Sequence, residues 1–343
     1  MPMRRIQSVL NHTLALAVSL IMFIPVYLVI VNSLKSKAEA AAMGAALPTV
    51  LHWENFATVI EKGKLVTAFG NSVLYAVGAT LIGTTVAALA AYVLSRNRTR
   101  FNRAVYFFII MGIAMPANFV TLMKVMQLTH LINTQFGIIL LYSAMSIPFS
   151  VFLIYAFIGT IPRELDEAAI IDGCSPPRLF FSVIYPLLTP VLVTAGVLNL
   201  LGIWNEFLLP LYYLNSSAYW PMTLAVYNFF GQFQADWSLV SADIVLTIVP
   251  VIIIYPLLTP VLVTAGILNL LGIWNEFLLP LYYLNRSTYW PMTLAVYNFF
   301  GQFQADWSLV SADIVLTILP VIVIYLFAQR FILSGMTAGS VKG

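Results

Sequence analysis

Gly137-Ile-Ile-Leu-Leu-Tyr-Ser-Ala-Met-Ser-Ile-Pro-Phe-Ser-Val-Phe-Leu-Ile-Tyr-Ala-Phe-Ile-Gly159 runs for 23 residues without a charge, and Thr160-Ile-Pro-Arg-Glu-Leu-Asp-Glu-Ala-Ala-Ile-Ile-Asp-Gly173 directly after it carries five. A bilayer core of about 30 Å takes roughly 20 apolar helical residues. A Lys or Arg at the centre of such a helix costs about 2.5 to 3.5 kcal/mol. The first stretch therefore reads as a membrane span and the second as a short helix that water can reach. The whole chain repeats that division: its 343 residues are 61% hydrophobic and only 8% charged, with mean hydropathy +0.93. Soluble domains carry about 25% charged residues, so this composition belongs in a lipid bilayer.

Working outward, uncharged runs mark further spans at Thr13 to Val31, Asn71 to Leu94 and Ala104 to Met123, and runs with a single acid each, Glu206 and Asp243, mark spans at Pro186 to Leu209 and Leu239 to Tyr255. None alternates polar and apolar residues as a membrane barrel strand does, so the fold class is all-α and polytopic. The first run, 19 residues long, exceeds the h-region of a signal peptide, roughly 7 to 15 residues, and reads as a retained anchor. Basic residues in short loops set orientation. Arg96, Arg98, Arg100 and Arg103 crowd one such loop, which places it, and with it both termini, in the cytoplasm of a multi-pass membrane protein.

A net charge of +3, dispersed along the chain, excludes the concentrated basic stripe of a nucleic-acid binder. One cysteine, Cys174, rules out an intramolecular disulfide framework, and His12, His52 and His130 are too scattered for a local zinc motif. No resident metal or redox cofactor is indicated.

Residues 185–254 recur as 255–324 with five differences: Val197 to Ile267, Ser216 to Arg286, Ala218 to Thr288, Val249 to Leu319 and Ile253 to Val323. Structural repeats that have diverged for long keep pattern and lose identity, so this duplication is recent. Each copy holds one outgoing span (Pro186 to Leu209, then Pro256 to Leu279) and one returning span (Leu239 to Tyr255, then Leu309 to Phe327). Adding a hairpin preserves sidedness, which predicts eight spans built on six. Removing one 70-residue copy from the 343 leaves a chain of 273. In one arrangement the first outgoing and the last returning span sit in the core, and the middle pair forms a peripheral hairpin.

The charged segment after Gly159 is punctuated as a helix from Pro162 to Asp172: proline in the first turn, Glu164, Asp166 and Glu167 at the positive end of the helix dipole, and Gly173 as the stop. Three-and-four spacing sets Leu165, Ala168, Ala169 and Asp172 on one low-profile face. On these grounds alone it is an interfacial amphipathic helix or a surface that a partner's cleft covers.

Glu167-Ala-Ala-Ile-Ile-Asp-Gly173 followed by Tyr185-Pro186 resembles the EAA loop of binding-protein-dependent ABC importer permeases, whose pattern runs EAA, three residues, Gly, nine residues, Ile, one residue, Leu-Pro. Val183 and Tyr185 replace the Ile and the Leu, both staying apolar. Asn32-Ser-Leu-Lys-Ser-Lys-Ala-Glu39, Asn71-Ser72, Trp204-Asn-Glu-Phe207 and the tail Thr337-Ala-Gly-Ser-Val-Lys-Gly343 are similar to the carbohydrate, maltose-type branch, with Ser340 departing from its Thr-Ala-Gly-Gly-Val-Lys-Gly ending. The resemblance covers nearly the whole chain and implies a place in the bacterial inner (plasma) membrane. It implies a type I importer fold of six spans, eight here, in one transmembrane domain. Residues 1–68 form the first span and outer loop, 69–255 the permease core with its loop at 160–184, 255–324 the repeat, and 325–343 the cytoplasmic tail.

The resemblance also implies partners: a second, different permease subunit, an ATPase homodimer that binds the ATP, and an extracytoplasmic sugar-binding protein. Glu167, Ala168, Ala169, Asp172, Gly173 and Pro186 become the coupling residues toward the ATPase, and Gly339, Lys342 and Gly343 a possible second contact. The chain has no Gly-x-x-x-x-Gly-Lys-Ser/Thr loop, so the expectation is a permease without an ATPase site of its own. Asn199 and Asn269 either line a sugar path or bond a neighbouring helix. Glu206 and Glu276, beside Trp204 and Trp274, are candidates for the same path or interfacial anchors. The competing readings are a gradient-driven secondary transporter or channel, which needs polar relays at mid-membrane depth, and a non-transporting assembly subunit.

Overall fold

The computed structural model describes residues 23–114, 119–230 and 235–254, with isolated positions at 13, 20, 291, 293 and 316. Among them the helices are α1 (Phe23–Ser33), α2 (Lys37–Ala40), α3 (Glu54–Lys62), α4 (Leu65–Arg96), α5 (Arg100–Ala114), α6 (Phe119–Leu128), α7 (Gln135–Ile158) and α8 (Glu164–Ile171). Then follow α9 (Pro176–Arg178), a π-helical turn (Leu179–Ile184), α10 (Tyr185–Leu187), α11 (Thr189–Asn205), α12 (Leu208–Tyr213), α13 (Met222–Ala225) and α14 (Trp237–Ile254). Two of these, α4 and α7, are long and apolar enough to cross a membrane, and a third joins them if the pair Pro176–Leu187 and Thr189–Asn205 is one bent span.

The spans expected at Asn71 to Leu94 and Gly137 to Gly159 correspond to α4 and α7. The span expected at Ala104 to Met123 is not one described helix: α5 stops at Ala114, α6 starts at Phe119, and 115–118 lie outside the described residues. The span expected from Pro186 to Leu209 is broken at both ends. A 77° bend falls between Pro176–Leu187 and Thr189–Asn205, where Pro186 and Pro190 lack the N–H that a straight helix requires. At the other end α11 stops at Asn205 and a new helix starts at Leu208. Of the first expected span, α1 covers the described part. Both spans of the second copy and the tail lie outside the described residues.

The chain divides into two compact units. The first comprises residues up to Tyr75, 129–138 and 204–254. Here the Asn32-Ser-Leu-Lys stretch organises the loop after α1. The buried Lys35 ammonium donates to Gly44 O (2.6 Å) and Asn32 Oδ1 (3.1 Å), and Asn55 Nδ2 donates to the Ser33 and Lys35 carbonyls, each at 2.9 Å. Ser36 and Glu39 close a capping box on α2, and hydrogen bonds from Thr49 and Ser36 hold the Glu39 carboxyl below the usual carboxylate range. Asn71 and Ser72, adjacent on α4, fasten the segment before α13. Asn71 Nδ2 donates to Ala218 O (2.9 Å) and Trp220 O (3.1 Å), while Ser72 Oγ accepts from the Met222 N–H (2.9 Å). The returning helix α14 packs chiefly on α3. This is the first copy's returning helix; the last returning span, which the arrangement with a peripheral middle pair sets in the core, lies outside the described residues apart from Leu316.

The second unit comprises residues 76–128, 139–203 and 255–343. Its core sets Ala87, Ala88 and Ala91 of α4 with Val151, Phe152, Leu153, Ile154 and Ile158 of α7. Small residues on one helix let a bulky neighbour approach closely, the packing that holds helices together where lipid removes the hydrophobic drive. The same cluster continues through Ile161 and Ala169 to Leu179, Phe180 and Ile184 of the π turn. It carries α8 on its edge.

Candidate functional site

Eight residues make α8, too few for a helix to be stable alone in water, so what holds it is the surrounding structure. It is shorter than the expected Pro162 to Asp172: Arg163 is the N-cap, without a side-chain capping bond, and Asp172 is the C-cap. The C-terminus closes in a Schellman motif. The Gly173 N–H donates to Ile170 O and the Cys174 N–H to Ala169 O, both at 3.0 Å, and Gly173 sits at φ +79°. The spacing of Glu-Ala-Ala, three residues and Gly is thus the spacing of a helix cap. The glycine occupies the left-handed position and turns Cys174 back over Ala169.

The two alanines of the motif part company. Ala169, 7% exposed, lies in the apolar cluster with Cys174 packed against it, and Asp166 shares its inward side. Ala168, Glu164, Glu167 and Asp172 are exposed, as are Leu165, Ile170 and Ile171, the last at 84%. The face expected from Leu165, Ala168, Ala169 and Asp172 is therefore split, because the cap and the π turn draw Ala169 inward. What remains outward is three apolar side chains among acids. They point to different sides of the helix, and three large apolar side chains left exposed on one eight-residue element suit cover by a partner.

Asp166 fixes the other edge of α8. The Tyr92 hydroxyl donates to Asp166 Oδ1 (2.5 Å), Arg96 Nη2 lies 2.7 Å from Asp166 Oδ2, and Arg96 Nη1 donates to Ile161 O (3.2 Å). Tyr92 and Arg96 stand one turn apart at the end of α4, and the Tyr92 ring contacts that of Phe180 in the π turn, centroids 5.5 Å apart. Sequence reasoning reads Asp166 as one more acid for the helix dipole. The available signal is a Tyr and an Arg spaced i, i+4 at the end of a span, matched by an Asp and an Ala spaced i, i+3 on the next charged helix.

Pro186 is exposed within α10, its carbonyl accepting from Thr189 Oγ1 (2.6 Å), and it is not part of the exposed face of α8. Asn199 Nδ2 donates to Ser150 Oγ of α7 at 2.9 Å. Glu206 is set by the break after α11. Its Oε1 accepts the Leu208 N–H (2.8 Å) and the Leu209 N–H (3.2 Å) at the start of α12, and its carbonyl accepts from Thr223 Oγ1 (2.8 Å). Trp204 donates from Nε1 to Thr247 O on α14 (3.4 Å). Asn269, Glu276, Gly339, Lys342 and Gly343 lie outside the described residues.

Comparison with known proteins gives this geometry its setting. Residues 80–255 match the family described as "Binding-protein-dependent transport system inner membrane component". The chain is 32% identical over 252 residues to the diacetylchitobiose uptake system permease protein NgcG of Streptomyces coelicolor, covering 72% of this chain and 83% of that one. It is 33% identical over 262 residues to the probable starch degradation products transport system permease protein AmyC of Thermoanaerobacterium thermosulfurigenes, covering 76% and 95%. Since those 262 residues are nearly the whole of the AmyC protein, that relative is shorter than this chain by about one repeat. The fold is shared with a chain of a crystallised bacterial ABC transporter involved in the import of the acidic polysaccharide alginate, at TM-score 0.63 and 23% identity over 74% of this chain and 95% of that one. The family match begins within α4, ends where the first copy ends and takes in α8 with its glycine cap: this chain belongs to the binding-protein-dependent transport system inner membrane components, the permeases of ABC importers.

Proposed function

We propose that this chain is the permease subunit of an ATP-driven carbohydrate importer, paired with a second, different permease, and that α8 is the element its ATPase subunits grip. The observation that carries the reading is the exposed face of α8, with Leu165, Ile170 and Ile171 set among Glu164, Glu167 and Asp172 on a helix clamped at both edges. A helix whose backbone bonds are internally satisfied passes on a displacement that an open loop absorbs. Glu167 is the polar contact to the ATPase and Ala168 the surface of close approach. ATP is bound by the partner, and an extracytoplasmic binding protein delivers the sugar. Named relatives that handle diacetylchitobiose and starch degradation products support oligosaccharide as the substrate class. In cells whose partner ATPase is made hydrolysis-dead, uptake of labelled oligosaccharide is expected to fall to background. Persistent uptake would favour a gradient-driven carrier instead.

We also propose that a single copy of the repeat completes the permease. Excising 185–254 or 255–324 yields chains that differ at only five positions, so either product carries one outgoing and one returning helix for the sites that α11 and α14 occupy. Both 273-residue chains are expected to accumulate and to transport within about threefold of each other. Loss of uptake by both, at parental expression, would show that the extra hairpin is needed.

A further inference from the structure

We propose that Asp166, through Arg96 and Tyr92, is a positioning residue that carries the movement of α8 into α4. The proposal rests on the importer reading above and adds the path by which motion leaves the gripped helix. Two kinds of contact hold α8. On one edge Ala169 and Cys174 lie against the π turn in an apolar cluster, and such contacts are non-directional and yield to sliding. On the other edge both oxygens of one carboxylate are engaged, Oδ1 by the Tyr92 hydroxyl and Oδ2 by the Arg96 guanidinium. The same guanidinium also holds the Ile161 carbonyl, just ahead of α8. The Arg96 and Asp166 side chains are only 14% and 12% exposed, so solvent screens their attraction little, and the directional bonds on this edge are those of the Tyr92 hydroxyl to Asp166 Oδ1 and of the Arg96 guanidinium to Ile161 O. A displacement of α8 along its own surface therefore pulls on the last turns of α4, a 32-residue helix, before it shears the apolar edge.

A helix-dipole acid can face water, and Glu164 and Glu167 in the same turn do. Asp166 instead turns inward to two side chains one turn apart on another helix. The Arg163 guanidinium, 3.5 Å from the Arg96 carbonyl, adds a weak contact between the same two segments.

The test uses the full transporter in proteoliposomes with its ATPase subunits and binding protein, and reads sugar transported per ATP hydrolysed. Asp166→Asn leaves a buried guanidinium without its counter-charge and is expected to lower both the yield of assembled complex and the sugar-to-ATP ratio. The double variant Arg96→Met with Asp166→Leu replaces the pair by apolar side chains, an exchange that is often neutral or better for stability. It is expected to recover the yield while the sugar-to-ATP ratio stays at least tenfold below the parent. Tyr92→Phe, which removes one of the two engagements, is expected to fall between. A double variant that recovers both yield and ratio overturns the proposal, as does Asp166→Asn with a parental ratio. Failure of the double variant to accumulate also counts against it, since only a structural need for the pair then remains. A hydrolysis-dead ATPase in the parental complex separates the two levels: sugar entering without hydrolysis defeats the importer reading itself, whereas a parental ratio in the variants defeats only the link.

Discussion

Replacing Gly173 by valine is expected to cut sugar uptake at least tenfold, while Gly173→Asn stays within about threefold of the parent. The reason is conformational rather than steric. A Cβ added at Gly173 meets nothing within 4 Å, but the residue stands at φ +79°, where an L side chain costs about 1 to 2 kcal/mol and a β-branched one is a genuine outlier. Asn visits that region with its short polar side chain and so keeps the turn. If valine relaxes to an ordinary backbone angle, the Gly173 and Cys174 N–H groups leave the Ile170 and Ala169 carbonyls, and the last turn of α8 frays with Ile171 on it. About 1.4 kcal/mol corresponds to a factor of ten in an equilibrium, so the cap alone accounts for the expected loss. Uptake and co-purification with the ATPase subunits check it together. Equal behaviour of the valine and asparagine variants would show that the left-handed turn is not what the motif's glycine provides.

The parts of the fold legible in the sequence were those that lipid dictates. The uncharged runs behind α4 and α7 could be read because a charge inside them is costly, and the glycine stop of α8 because few residues but glycine fit a left-handed cap. The breaks could not. Residues 186–209 form an apolar stretch with two prolines and a Trp-Asn-Glu segment near its end, which composition reads as one span. The π turn and the 77° bend arise from packing Phe180 and Ile184 into the cluster beneath α8, and periodicity does not encode that. The inward turn of Asp166 was hidden for a related reason. Acids in a first helical turn have an adequate local explanation, and only the three-dimensional approach of Tyr92 and Arg96 reveals another. The anchoring of Asn71 and Ser72 was likewise beyond periodicity, since their partners at 218–222 lie about 150 residues away.

Ala169→Phe is expected to abolish uptake by destabilising the permease itself, whereas Ala168→Phe is expected to abolish it only by spoiling the fit to the ATPase. The motif presents the two alanines as neighbours of one kind, and the helix gives them opposite environments: Ala169 is packed with Leu179, Phe180 and Ile184, while Ala168 is exposed. A phenyl ring forced into that cluster must displace the π turn or lift α8 off it, and overpacking a filled core costs about 1 to 3 kcal/mol, occasionally more. An exposed position tolerates the same ring within about 0.5 kcal/mol. Thermal unfolding of the purified permease in detergent, without any partner, distinguishes the two. Ala169→Phe lowers the midpoint by several degrees, Ala168→Phe leaves it at the parental value, and both lose the ATPase subunits on co-purification. If the isolated Ala168→Phe protein is destabilised as much as Ala169→Phe, then both alanines serve the permease's own packing, and the outward face of α8 is not the surface that receives the ATPase.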